Sequence, residues 1–175
     1  MGVAISAPVG RTAWMEESAL SPEVLRGAYG AFPSGVTALC AMGDDRAVGM
    51  AASSFTSVSL EPALVSVCVA RSSTTWPVLR RARRLGVSVL SEAQDSAARA
   101  LAAKDASRRF DNIDWESSSD GAIFVRGSAL WLDCSVVEEV PAGDHEIVVL
   151  AIERLYAYPD IEPIVFHSSR FRKLS

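Results

Sequence analysis

The chain has 175 residues, 49% hydrophobic and 22% charged, with a formal net charge of −4, a length and balance that suit one globular domain with its own core. The negative charge argues against a nucleic-acid partner. No apolar run approaches the roughly 18 to 20 residues that a membrane span needs, so a cytoplasmic protein without a membrane partner is expected.

Residues 1–19 read as a flexible N-terminal arm, and residues 20–175, which show no linker or repeat, as a single domain. Ser21-Pro22-Glu23 starts a helix, with Ser21 as the cap and Pro22 at the first helical position. Val24, Leu25, Ala28, Tyr29 and Phe32 recur at helical spacing and predict one apolar face; Pro33-Ser34-Gly35 ends the helix. Residues 36–42 read as a strand, Gly43-Asp44-Asp45 as a tight turn and residues 46–52 as the hairpin partner.

Residues 50–74 hold three kinds of sequence in a row: a small and hydroxylated run beginning at Met50, an apolar strand over 64–69, and a second hydroxyl cluster, Ser72-Ser73-Thr74, beside Arg71. Small side chains let a flat ligand approach the backbone, while hydroxyls, amides and a guanidinium suit sugar and phosphate oxygens. The stretch reads either as a cradle for a ring, a sugar chain and a phosphate or as a plain Ser/Thr-rich turn between strands.

Thr75 is positioned to cap a short helix through Leu79, and Arg80, Arg81, Arg83 and Arg84 read as a solvated helix end. A strand over 85–90, an alanine-rich helix over 94–103, a polar turn over 105–110 and an acidic, serine-rich loop over 111–120 follow. Strands over 122–126, 129–140, 145–158 and 164–167 precede a basic tail. Long antiparallel neighbours with short turns predict a mainly β protein, a closed barrel with a few helices outside.

There is no G-x-G, Walker A or G-x-S-x-G sequence. Cys40, Cys68 and Cys134 are widely spaced without a C-x-x-C pair, and His145 and His167 lie at no ligand spacing, so reduced buried thiols and no metal site are expected. So few catalytic groups predict a reaction whose hard step a cofactor performs.

Five segments in order, Phe32-Pro33-Ser34-Gly35-Val36-Thr37, Ala51 through Pro62, Val67 through Ser73, Gly143-Asp144-His145 and the Arg170-Phe171-Arg172 tail, closely resemble the short-chain flavin reductases, the reductase partners of two-component flavin-dependent monooxygenases. The resemblance implies a split β-barrel of Greek-key type with flanking helices, a homodimer with flavin at the subunit interface, and hydride transfer from NADH or NADPH to FAD or FMN. The reduced flavin then passes to a monooxygenase of aromatic catabolism or antibiotic biosynthesis. It implies cofactor contacts from Met50, Ala51, Ala52, Ser53, Ser54, Ser57, Ala70, Arg71, Ser72, Thr74, Arg109 and Phe110. His145 would be catalytic and, with Ser169, Arg170 and Phe171, would border the nicotinamide. Ala51-Ala52 stands where many members carry Asn or Thr, and Ser168-Ser169 with Phe171 where many carry Gly and Tyr. A flavin- or haem-binding carrier without turnover would share the fold; a pyridoxine-phosphate-type oxidase would need more phosphate-binding cations than the chain offers.

Overall fold

The computed structural model describes residues 16–174. Residues 1–15 of the expected arm lie outside the described residues, and Glu17–Ala19 form one 3-10 turn. Helix α1 (Pro22–Tyr29) starts as its sequence predicts, the Ser21 hydroxyl accepting from the Val24 amide at 3.3 Å. The predicted apolar face is not buried, however: no residue of α1 is, and Tyr29 and Phe32 are 69% and 78% exposed.

The elements after α1 are β1 (Ser34–Gly35), β2 (Thr37–Met42), β3 (Ala47–Ala52), β4 (Thr56–Leu60), β5 (Ala63–Ala70), α2 (Trp76–Leu79), β6 (Leu85–Val89), α3 (Asp95–Ala102), β7 (Trp115–Ser117), β8 (Ile123–Val125), β9 (Leu130–Ala142), β10 (His145–Ala157), β11 (Val165–His167) and β12 (Arg170–Arg172). Three stretches expected as loop or tail therefore pair: the hydroxyl run contains β4, the acidic loop contains β7 with Trp115, and the basic tail is β12. Thr75 does not cap α2. Ser73 accepts from the Trp76 amide at 3.1 Å instead, and the Thr75 hydroxyl is engaged elsewhere.

Seven antiparallel strands run in the order β3-β2-β6-β9-β10-β5-β4. The sheet curls until its two sides share one core: Leu39 and Ala41 of β2 and Ala52 of β3 pack in the same cluster as Val65, Val67 and Val69 of β5. Just past β3, Ser54 completes the closure. Its hydroxyl accepts from the Cys68 amide at 2.8 Å and donates to the Cys68 carbonyl at 3.1 Å, so one side chain stands where a backbone ladder would. This is the barrel expected from the sequence, with helices on its outside.

Alternation within β2 builds a second core. Leu39 and Ala41 face the barrel interior, while Ala38 and Cys40 face outward, under α3 and β8, with Leu101, Ile113 and Ile123. Both faces are covered, which is why β2 reads as a continuous apolar run. Gly86 makes this layer possible: a Cβ there would lie 1.9 Å from the Ile123 carbonyl oxygen, so only glycine lets β8 lie against β6. Cys40 and Cys134 are buried as expected, whereas Cys68 is exposed on the outer face of β5. Burial pushes both buried thiols up to about 12. Among the described residues no helix is long and apolar enough to cross a membrane.

Candidate functional site

The end of β3 and the loop after β5 lie at the same end of the barrel because Ser54 ties them together. Between them and α3 opens a cavity of about 580 Å3 bordered by Met50, Ala51, Ser72, Thr74, Lys104 and Arg109. An apolar slot of about 160 Å3 adjoins it, bordered by Ala51, Ala52, Ser53, Ala98, Phe166 and Phe171. Ala51 and Ala102 line both, so slot and cavity meet at two alanines. The cavity alone falls in the range of about 300 to 1,000 Å3 usual for small-molecule sites.

The two spaces differ in chemistry. The slot is walled by methyl groups and two phenyl rings, with β12 folded over it: Phe171 packs on Phe166 at 5.3 Å, and the Arg99 guanidinium sits 4.8 Å above the Phe171 ring. The cavity is polar. Among the described residues the peptide N–H groups of Ser72 and Thr74 have no hydrogen-bond acceptor, which leaves donors for ligand oxygens.

Arg109 and Lys104 are the cations that border this cavity, and Arg109 is held in place. Nη1 donates to the Gly49 carbonyl at 2.7 Å and to the Thr75 hydroxyl at 2.8 Å; Nε and Nη2 both donate to the Ala103 carbonyl, at 3.0 and 2.6 Å. The fork thus joins β3, the start of α2 and the end of α3. Partial burial lowers its pKa, with Asp105 opposing.

The glycine–aspartate–histidine turn reaches the cradle through register. His145 pairs with Ala70 across β10 and β5, and the Arg71 amide donates to the Asp144 carbonyl at 3.0 Å. The His145 Nδ1 lies 2.8 Å from the Asp144 carboxylate, and this hydrogen bond holds the Asp144 carboxyl below the usual carboxylate range. A ring that donates through Nδ1 keeps Nε2 as an acceptor while neutral and as a donor when protonated.

The remaining expected residues are dispersed. Ser54 is nearby, but its hydroxyl proton is committed to Cys68, leaving one lone pair for a ligand. Ser57 is exposed on β4 beside a register shift. Phe110 packs edge-on against Trp115 at 6.2 Å and against Gly49, bordering neither space. Ser169 and Arg170 stand exposed at the β11–β12 turn, where Ser168 and Ser169 adopt φ of 48° and 60°. Sequence reasoning missed Lys104, Phe166, Thr75 and the α3 alanines. The spacing of Ala98 and Ala102, four apart on a helix, was the available signal for a close approach to a neighbour.

The flavin reductase like domain model matches residues 29–175. A flavin reductase of Pseudomonas putida is 37% identical over 151 residues, 86% of this chain and 88% of the relative. The reductase subunit HsaB of a flavin-dependent monooxygenase of Mycobacterium tuberculosis is 34% identical over 144 residues, 82% of this chain and 76% of its own. Among solved structures, the NADH:FAD oxidoreductase SgcE6 of Streptomyces globisporus C-1027, in complex with NAD and FAD fragments, superposes with a TM-score of 0.85 at 32% identity, covering 94% of this chain and 98% of that one.

Proposed function

The chain belongs to the flavin reductase-like family, and on that footing we propose that it is an NAD(P)H:flavin oxidoreductase that reduces FAD, or FMN, and passes the reduced flavin to a partner monooxygenase. The observation that carries the proposal is the junction of an apolar slot with a polar, cationic cavity at Ala51 and Ala102. A flat tricyclic ring needs the small side chains of Ala51, Ala52 and Ser53, and a phosphate-bearing tail needs the amides of Ser72 and Thr74 and the charge of Arg109, with Met50 beside them. The relatives' names favour NADH, and they include both an NADH-dependent FAD reductase and an FMN reductase.

The flavin, when bound, supplies the two-electron chemistry. The chain's residues supply position. Phe171, clamped by Arg99 and Phe166, offers an aromatic face for stacking a nicotinamide beside the slot, with Ser169 and Arg170 at its rim. His145, held through Nδ1 by Asp144, is partly exposed where β10 pairs with the end of β5. Residues 20–175 act as the one catalytic domain, in the cytoplasm.

The active form is a homodimer. Register aligns Val140, Ile147 and Cys68 in one exposed row across β9, β10 and β5, and Val58, Leu60 and Val137 are 51%, 97% and 56% exposed. An apolar sheet face of this kind marks a contact surface, and a second copy covers it with the same residues about a two-fold axis. Light scattering should give twice the chain mass, and Ile147→Glu should shift it to one.

Absorbance at 340 nm with NADH and free FAD tests the activity. Flavin-dependent loss of NADH is expected. A flavin that stays bound through gel filtration and accepts no hydride from NADH or NADPH would instead make the chain a carrier, and the proposal would be wrong.

A further inference from the structure

A third hollow, of about 190 Å3, shares no lining residue with slot or cavity. It lies on the outer face of β9 and β10 under the β7–β8 hairpin, bordered by Ser117, Phe124, Trp131, Asp133, Arg154 and Tyr156. Its origin is strand alternation. Leu132 and Cys134 point into the barrel core, so Asp133 between them points outward. There Phe124 and Trp131 stack at 5.3 Å and 23°, and Tyr158 meets Trp131 edge-on at 5.4 Å.

Asp133 is the unusual member. It is only 3% exposed. Its Oδ2 accepts from Arg154, with Nε at 3.0 Å, yet its Oδ1 has no hydrogen-bond partner among the described residues. A buried carboxylate oxygen without a donor is costly, of the order of 1 to 3 kcal/mol or more, and native proteins rarely leave one so. Asp133 lines the hollow, and a small rotation of its carboxylate brings Oδ1 to an occupant there. The hollow's size is below the range of about 300 to 1,000 Å3 usual for drug-sized ligands, which restricts an occupant to one or two fused rings. Arg154 already neutralises Asp133, and Glu116 adds a carboxylate to the rim, so an anion such as a flavin phosphate is disfavoured.

We propose that this hollow is a second ligand site, separate from the flavin cleft, for a small neutral aromatic molecule bearing one N–H or O–H donor. The ring lies against Trp131 and Tyr156, and the donor meets Asp133 Oδ1.

Calorimetry and saturation-transfer NMR on the full chain, with phenol and indole as probes, test this. One saturable equivalent is expected, unaffected by excess FAD. Asp133→Asn should weaken it about tenfold by removing the charge assistance. Ser117→Trp, a change at an exposed position that fills the hollow, should abolish it without lowering the unfolding temperature or NADH oxidation, and it serves as the deciding variant if Asp133→Asn does not fold. No saturable binding up to millimolar probe, displacement by FAD, or binding that survives Ser117→Trp would each overturn the proposal. So would a probe-soaked crystal with only water at Oδ1.

Discussion

Arg109 is the residue at which stability and ligand binding are most tightly joined. Replacing it with alanine removes four hydrogen bonds to three acceptors, the Gly49 and Ala103 carbonyls and the Thr75 hydroxyl. The two half-buried bonds are worth about 1.5 kcal/mol each, at the low end for a charged donor. The pair sharing Ala103 is solvent-exposed and contributes little, and about 1.5 kcal/mol of side-chain entropy returns on truncation. The net cost is about 1.5 kcal/mol, or roughly 3 to 6 °C in unfolding temperature for a chain of this size. Flavin affinity should fall about 10- to 100-fold, because a phosphate loses its charge-assisted partner. Lysine separates the two effects. It keeps the charge but not the fork, so Arg109→Lys should lose about half the stability yet hold flavin affinity within about fivefold. Thermal unfolding and quenching of flavin fluorescence provide the two measurements. Wild-type affinity in Arg109→Ala, or equal loss of affinity in both variants, would refute the assignment of its charge to the phosphate.

Gly86→Ala should destabilise by more than about 3 kcal/mol, since its Cβ would overlap the Ile123 carbonyl and neither strand has room to retreat; urea melts that show a smaller change would mean that β8 is loosely placed. Ser169→Gly should stabilise by up to about 1 kcal/mol, because serine at a φ of 60° carries left-handed strain that glycine lacks, and differential scanning calorimetry reads it directly. Alkaline titration tests the buried thiols. Their folded pKa is raised to about 12, so the folded state keeps protons that the unfolded state releases above about pH 8.5; stability is complete below that pH and falls by up to about 1.4 kcal/mol per thiol per pH unit as it rises toward 12. Urea melts from pH 7 to 10 should show a shallower decline in Cys40→Ala than in wild type, and parallel curves would show the thiol to be solvated.

Much of the barrel is legible in the residues. The Gly43-Asp44-Asp45 turn, the apolar run of β5 and the Gly143-Asp144 turn each carry local chemistry that dictates their pairing, and Ser21 caps α1 as its type and position require. The cradle is legible for the same reason: hydroxyls cluster at two strand ends. What escaped depends on tertiary placement. Lys104 and Ala102 border the cavity only because α3 crosses β3, and Thr75 orients Arg109 only because residues 34 apart meet. The Ser168-Ser169 turn lacks the Asn-Gly signature of a two-residue hairpin, so β12 reads as tail. The apolar side of α1 is visible in sequence, but what covers Tyr29 and Phe32 is not contained within the described fold.

Because a single side chain, Ser54, makes both hydrogen bonds that tie the end of β3 to β5 beside the slot, the doorway there has a latch rather than a weld. One side-chain torsion releases it, and such torsions turn over in picoseconds to nanoseconds, with no strand peeled from its neighbour. A planar guest can thus slip in and out of a rigid scaffold without any part of that scaffold unravelling.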